Sequence, residues 1–236
     1  MSRPPLRNTV DNVRLLDLKP QSVVAVYAHP DDADVAAGGV LARWARSGAN
    51  VHLVVVCDGA KGSHAPSARG GELREVRRTE LEGASALLGL TSVRCLDHPD
   101  GDIINDKALR SELVGLVRAL RPDVVLGPDP TAVFFGGAYI NHRDHRETGW
   151  ALLDAVAPAA AMPLYFPEQG LPHAVGHLLL SGTHEPDVVA DISSVIDQKV
   201  SAVLAHASQI EGDRSVVAEV VRARAQQAGR EVGVSF

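Results

Sequence analysis

A histidine, a proline and two adjacent aspartates, His29-Pro30-Asp31-Asp32, follow directly on the apolar run of residues 22–28. Far downstream, residues 141–149 read NHRDHRETG and set His142 and His145 in an HxxH spacing with Asp144 between them. Imidazole and carboxylate groups bind divalent ions such as zinc, and a catalytic zinc uses three protein ligands with a position left for water. His29, one of the two aspartates and one of the two histidines make such a set. The remaining carboxylate is then free to take a proton from water, and the remaining histidine to polarise or protonate a substrate. Each motif alone has a plainer reading. Asp caps helices and Pro favours turns, so HPDD is also an ordinary turn. HxxH at helical spacing is also a pair of surface histidines. Only together, at positions where one fold brings loops close, do they point to a hydrolytic site.

Those positions depend on the elements between them. Residues 22–28 (SVVAVYA) and 50–57 (NVHLVVVC) are continuously apolar, as strands buried on both faces are. Between them the pattern predicts a helix from Asp34 to Ser47, with Ala37, Val40, Leu41 and Trp44 on one face and Gly48 as the stop. Asp34 reads as its N-cap. A second helix is expected over 72–88, closed by Gly89, then a strand over 92–97, a helix over 106–120 and a strand over 123–127. This alternation predicts an α/β, Rossmann-like fold with a mostly parallel central sheet, helices on both faces and an irregular C-terminal part. Residues 162–168, 176–182 and 187–192 read as further strands and 194–210 as a helix, the whole of 1–236 forming one domain. The loops at 58–71 and 128–145 both follow strands, which puts them at the carboxyl edge where open α/β sheets bind ligands. The second carries Phe134, Phe135, Gly136, Gly137 and Tyr139. Its 128–141 part reads either as a lid over a bound substrate or as a loop packed on the core or on a neighbouring subunit.

The second helix poses its own question. Leu73, Val76, Leu81, Ala84, Leu87 and Leu88 define an apolar arc, and Arg77 and Glu80 fall inside it. Buried charges need partners. Arg77 either pairs with Glu80 and braces the 58–71 loop or points at a substrate. Asp100, before the turn residue Gly101, either caps that turn or binds substrate hydroxyls. His52 and His206 read as structural, and His64 lies within the 58–71 loop.

Composition narrows the function classes. The formal net charge is −6, so there is no basic footprint for nucleic acid or an anionic membrane surface. No stretch approaches the roughly 20 apolar residues of a membrane span. Residues 1–21 are polar and broken by prolines, unlike a secretory signal. Cys57 and Cys95 sit in strand-like runs, as small core residues of a reducing compartment do. The expectation is a cytoplasmic protein acting on a small molecule.

In order along the chain, AHPDDADVAAGG (28–39), CDGAKGS (57–63), REVRRTELEGASALLGL (74–90), DHPDGDI (97–103), residues 127–149 and DISSVIDQKVSAVLAHASQ (191–209) resemble the LmbE/PIG-L-like metal-dependent N-deacetylases. The resemblance implies one divalent metal per chain on His29, Asp32 and His145, zinc foremost, with Fe(II) accepted by the same donors. It makes Asp31 the general base, and His142 an electrostatic stabiliser or acid whose protonation Asp144 tunes. It also allows Arg77 and Asp100 as substrate-binding residues, and it implies a homo-oligomer. The choice of Asp32 over Asp31 as ligand comes from this resemblance, since spacing leaves it open. The implied reaction removes an N-acetyl group from an amino-sugar or its conjugate. An amidase for thiol-sugar conjugates is the alternative within the same chemistry. A non-catalytic nucleotide-binding module is disfavoured, because two carboxylates occupy the turn where a pyrophosphate would lie. An inactive scaffold would have no need of five intact site residues.

Overall fold

The computed structural model describes residues 13–135 and 139–236. The sequence readings for residues 1–12 and for Gly136 and Gly137 lie outside the described residues. In chain order the elements are β1 (Arg14–Leu15), β2 (Ser22–Tyr27), α1 (Asp32–Ala36), α2 (Gly38–Arg46), β3 (Asn50–Cys57), α3 (Gly70–Leu88), β4 (Ser92–His98) and α4 (Lys107–Leu120). There follow β5 (Val124–Pro128), β6 (Phe134–Phe135), β7 (Tyr139–Ile140), α5 (Arg143–Val156), β8 (His177–Ser181), β9 (Val188–Val189), α6 (Ile196–Ala205) and α7 (Arg214–Arg230).

Five strands form one sheet in the order β4-β3-β2-β5-β8, and every neighbouring pair is parallel. This is the α/β architecture expected from the alternating pattern. The continuous apolar runs arise because alternate residues serve different layers. Val24, Val26, Val54, Val56 and Val125 pack with Leu109, Leu113 and Val117 of α4 and with Ala151, Leu152 and Ala155 of α5. Val23, Ala25, Tyr27, Val51, Leu53 and Val55 pack with Leu41 and Trp44 of α2 and Leu81 of α3. α6 packs outside α2 and α3, and α7 lies against it. Because β2 sits mid-sheet and the chain winds outward on both sides, the crevice between the ends of β2 and β5 is a topological switch point.

Several expectations need correction. The helix expected over Asp34–Ser47 is two helices with a break at Ala37. Lys199 Nζ of α6 takes the carbonyls of Asp34 and Val35 (3.0 and 2.7 Å), groups a continuous helix would have used internally. Asp34 is not an N-cap; that position belongs to Asp31. Asp34 instead lies buried inside α1 and accepts from His206 Nε2 at 2.8 Å, so His206 is hydrogen-bonded as well as packed. Residues 162–168 are not a strand. That stretch follows the carbonyl groups gathered by Arg118, with 3₁₀ turns at Ala159–Ala161 and Pro167–Gln169. Only Val188–Val189 of the 187–192 stretch is a strand, paired with β1. The helix expected over 194–210 stops at Ala205 and is followed by a 3₁₀ turn at Ala207–Gln209. On α3 the buried arc is Arg77, Leu81, Ala84, Ser85 and Leu88, rotated away from Val76 and Leu87, because the helix is covered by α6 as well as by the sheet. Among the described residues no helix is long and apolar enough to cross a membrane.

Candidate metal and hydrolytic site

The site forms where strand ends meet. β2 ends at Tyr27, and the turn His29–Asp32 folds back so that the His29 N–H donates to Asp32 Oδ2 at 2.8 Å. β4 delivers Asp100, and the chain after β7 delivers residues 141–145 as the start of α5. His142 caps α5, its Nδ1 accepting from the Asp144 N–H at 3.3 Å. α5 reaches the sheet edge only because residue 149 is glycine: a Cβ there would lie 2.6 Å from the Pro128 carbonyl oxygen and 2.9 Å from Pro130. Gly149→Ala should therefore cost about 1–3 kcal/mol of stability, measured by urea unfolding.

Three ligand-type atoms converge. His29 Nδ1 lies 3.0 Å from His145 Nε2 and 3.3 Å from Asp32 Oδ2, and His145 Nε2 lies 3.1 Å from Asp32 Oδ1. The opposite edge of each ring is already engaged. His29 Nε2 faces Asp100 Oδ1 and Asp144 Oδ2, each at 3.4 Å. His145 Nδ1 meets Asn141 Oδ1 at 3.0 Å, and Asn141 is itself oriented by its Nδ2 bond to the Ala132 carbonyl. One nitrogen of each ring thus has partners of its own, and the other, His29 Nδ1 and His145 Nε2, faces Asp32. Two imidazole nitrogens and a carboxylate are a donor set that a divalent cation accepts. Donor atoms about 2.0–2.1 Å from a tetrahedral zinc lie about 3.3 Å apart, so the spacing fits the ion.

The electrostatics favour positive charge at the same point. Burial disfavours charge on His29, yet Asp32, Asp100 and Asp144 outweigh it and drive its pKa strongly upward. Burial likewise works against Asp32, but His145 and His29 hold its carboxyl well below the usual range. Asp100 is buried, which would raise its pKa; His29 and the Lys61 N–H bring it down to about 2. This is a pocket with more negative charge than its own histidines neutralise.

A second group, His29, Cys57, Asp100 and Asp144, brings donor atoms within 4.8 Å of one another. It is fully buried, and Asp144 already accepts from the N–H groups of Gly101 (2.7 Å) and Ile103 (3.3 Å). Burial also raises the Cys57 thiol, disfavouring the thiolate a metal needs. It is better described as the support that aims His29.

Asp31 stands beside the three converging groups with its side chain 27% exposed, and Arg77 Nη2 donates to its Oδ1 at 2.7 Å. Arg77 therefore pairs with Asp31 and not with Glu80, whose carboxylate accepts from Ser208 N and Oγ. Arg77 is 3% exposed, and Asp100, turned toward His29 and Lys61, is 6% exposed. In this arrangement Arg77 is set against Asp31 and Asp100 against His29. Asp144 is closer to His29 than to His142, whose Nδ1 is 3.8 Å away, because the Gly101 and Ile103 N–H groups draw the carboxylate under the His29 ring. Burial and nearby His29 lower the pKa of His142. Its Nδ1 being an acceptor, it presents a neutral Nε2–H, and its ring centre lies 5.0 Å from that of His29.

In the aromatic loop, Phe134–Phe135 and Tyr139–Ile140 pair as a small antiparallel hairpin. Phe134 and Ile140 are exposed, while Phe135 contacts Tyr139 and His184 and the Tyr139 hydroxyl is 3.5 Å from His145 Nδ1. Asn141 was missed in the sequence reading, although its place four residues before His145 on the same turn marks it as a neighbour.

The profile described as PIG-L, GlcNAc-PI de-N-acetylase, matches residues 24–156, a stretch that holds all of these side chains except those of 177–236. Diacetylchitobiose deacetylase of Thermococcus kodakarensis is 33% identical over 198 residues, 82% of this chain and 72% of that protein. The 1D-myo-inositol 2-acetamido-2-deoxy-alpha-D-glucopyranoside deacetylase of Streptomyces avermitilis is 29% identical over 258 residues, covering 84% of this chain and 85% of that one. Among solved structures, N,N'-diacetylchitobiose deacetylase from Pyrococcus horikoshii, complexed with its inhibitor MPG, superposes with a TM-score of 0.83 at 29% identity. That match covers 92% of this chain and 81% of the other.

Proposed function

Because this chain belongs to the PIG-L family of GlcNAc-PI de-N-acetylases, we propose that it is a hydrolase that removes the acetyl group from the nitrogen of an N-acetylated amino-sugar or its conjugate. Residues 1–236 act in this reading as one catalytic domain. His29 Nδ1, an Asp32 carboxylate oxygen and His145 Nε2 are the atoms assigned to hold one divalent ion per chain. Zinc suits two imidazoles and a carboxylate, and Fe(II) accepts the same set. When bound, such an ion makes water acidic enough to attack at neutral pH and polarises the amide carbonyl.

The remaining work belongs to side chains. Asp31 takes a proton from the attacking water through Oδ2, its Oδ1 being held by Arg77. As the water oxygen bonds to the carbonyl carbon, the carbonyl oxygen gains negative charge, and the Nε2–H of His142 donates to it. The C–N bond then breaks, the proton on Asp31 passes to the leaving nitrogen, and acetate and a free amine result. Asp100, Asp144 and Asn141 keep the two ligand rings aimed.

The observation that carries this reading is the convergence of two imidazole nitrogens and a carboxylate beside a second, held carboxylate at the sheet's switch point. The test is acetate release from N-acetylglucosamine, diacetylchitobiose and N-acetylglucosaminyl-inositol. Acetate and primary amine should appear in equal amounts, vanish after chelation and return with added zinc or Fe(II). No acetate from any of the three, with or without metal, removes the function. Elemental analysis should find about one metal per chain, lost in His145→Ala. Assembly as a homo-oligomer is part of the same reading, supported by the exposed side chains of Leu164 and Leu171, and sedimentation checks it.

A further inference from the structure

We infer that Lys199 and His206 are positioning residues for the metal ligand Asp32, acting on it through α1 from far along the chain. The inference rests on the assignment of His29, Asp32 and His145 to one divalent ion. Those three ligands stand on unequal supports. His145 lies near the start of α5, which runs 14 residues, and the His29 ring is backed by Asp100 and Asp144. Asp32 is the first residue of α1, which has five. A helix that short does not hold itself, since isolated helices below about 12–15 residues are marginal in water.

α6 supplies what α1 lacks. The last carbonyls of a helix have no partner within it. Lys199 Nζ takes two of them, Asp34 at 3.0 Å and Val35 at 2.7 Å. His206, at the C-terminal end of α6, donates from Nε2 to the Asp34 carboxylate at 2.8 Å. Asp34 and His206 are 1% and 2% exposed, and neither Asp34 Oδ1 nor His206 Nδ1 has a partner among the described residues. α6 is fixed independently of α1. Arg43 and Arg46 of α2 donate to the carbonyls of Asp191 (3.1 Å) and Ser194 (2.9 Å), in the segment that leads into α6. Ile192 in that segment sits so close to α2 that a Cβ at Gly39 would lie 2.6 Å from its Cδ1. Val200 and Ala202 of α6 pack with Leu88 of α3. α2, α3 and α6 thus form one body, and two side chains reach from it to the short helix.

The consequence falls on the affinity for the ion. The hydrogen bonds of Lys199 and His206 go to Asp34 and Val35, and none reaches His29, Asp32 or His145 among the described residues. Without them α1 exchanges between formed and frayed states, and only the formed state brings Asp32 to the two imidazoles. The apparent affinity for a metal then falls in proportion to the fraction formed. The ion in turn selects the formed helix, so enough zinc restores the site. A general loss of stability has neither feature while the protein remains folded.

The test measures zinc dissociation constants, by competition with a chromogenic chelator, for the wild type, Lys199→Met, His206→Leu and His206→Gln. Arg118→Lys, which loosens the 159–170 segment instead, is the control. Lys199→Met and His206→Leu should each raise the zinc Kd by about 10- to 100-fold, the range for residues that orient metal ligands. Glutamine keeps an N–H donor in place of Nε2, so His206→Gln should stay within about threefold of wild type. Amide exchange over residues 32–37 should quicken in metal-free Lys199→Met and slow again when zinc is added. Acetate release from diacetylchitobiose by Lys199→Met should fall at limiting zinc and return to within about threefold of the wild-type kcat at saturating zinc. A zinc Kd for Lys199→Met no higher than that of Arg118→Lys overturns the inference, and this variant answers where His206→Leu does not fold. So does a kcat that stays low at saturating zinc with Kd unchanged. A wild type that binds no zinc removes the metal assignment and the inference with it. One that binds zinc but releases no acetate removes only the reaction, and the comparison of Kd values still decides the role of Lys199 and His206.

Discussion

Asp31→Asn should lower kcat for acetate release by about 10³-fold while the protein still binds one metal ion per chain. The substitution is nearly isosteric. An amide oxygen in place of Oδ1 still accepts from Arg77 Nη2, so the 2.7 Å contact has no reason to part. The amide nitrogen that replaces Oδ2 cannot take a proton from water, and loss of a positioned general base costs about 10²–10⁴-fold. The converging atoms of His29, Asp32 and His145 are untouched, which is why metal content separates this variant from His145→Ala. Steady-state acetate release and elemental analysis on one preparation decide the matter. Activity within tenfold of wild type would remove Asp31 as the base. Loss of metal would instead move the ligand role from Asp32 to Asp31, the exchange that sequence spacing left open.

What was legible in the sequence follows from the range of the interactions. Residues 22–28 and 50–57 declare themselves as strands because burial on both faces writes an unbroken apolar run. The candidate site was legible only as two distant groups of residue types, and the structure brings His29, Asp32 and His145 of those groups together. Its supports were not. Arg77 reaches Asp31 from another element, and Asn141 matters only once His145 has turned toward Asp32. Asp144 lies between two histidines in the sequence, but the N–H groups of Gly101 and Ile103, delivered by β4, draw it beneath a third. The same reasoning accounts for the misread helix start. Asp34 has the right type for a cap, but Lys199 and His206, from the far end of the chain, end α1 early and bury it. The Gly59 and Gly62 pair was the available local signal, since glycines so spaced after a strand mark a place where something large passes close.

Arg118→Met should destabilise the protein by about 3–5 kcal/mol, a loss on the scale of a broken buried ionic contact. Arg118 projects from α4 at 4% exposure and has no carboxylate partner among the described residues. Its five N–H groups instead reach the carbonyls of Ala159, Ala160, Met162, Tyr165, Phe166 and Gly170. Residues 159–170 lie between α5 and β8 without a regular ladder of their own, so the guanidinium supplies bonds that a helix or strand would have made internally. Methionine fills similar volume but leaves those carbonyls without donors. Lysine keeps the charge and still fails, because one ammonium has three donors where the planar fork has five. Arg118→Lys should therefore lose about 2 kcal/mol or more. For a chain of this length each kcal/mol moves the thermal midpoint by about 2–4 °C, so Arg118→Met should melt about 6–20 °C lower. The kcat of the fraction that remains folded should stay within about threefold of wild type, because Arg118 touches no group of the site. Urea unfolding measures the stability directly, and a change under about 1 kcal/mol would show that the 159–170 segment holds its shape without the guanidinium.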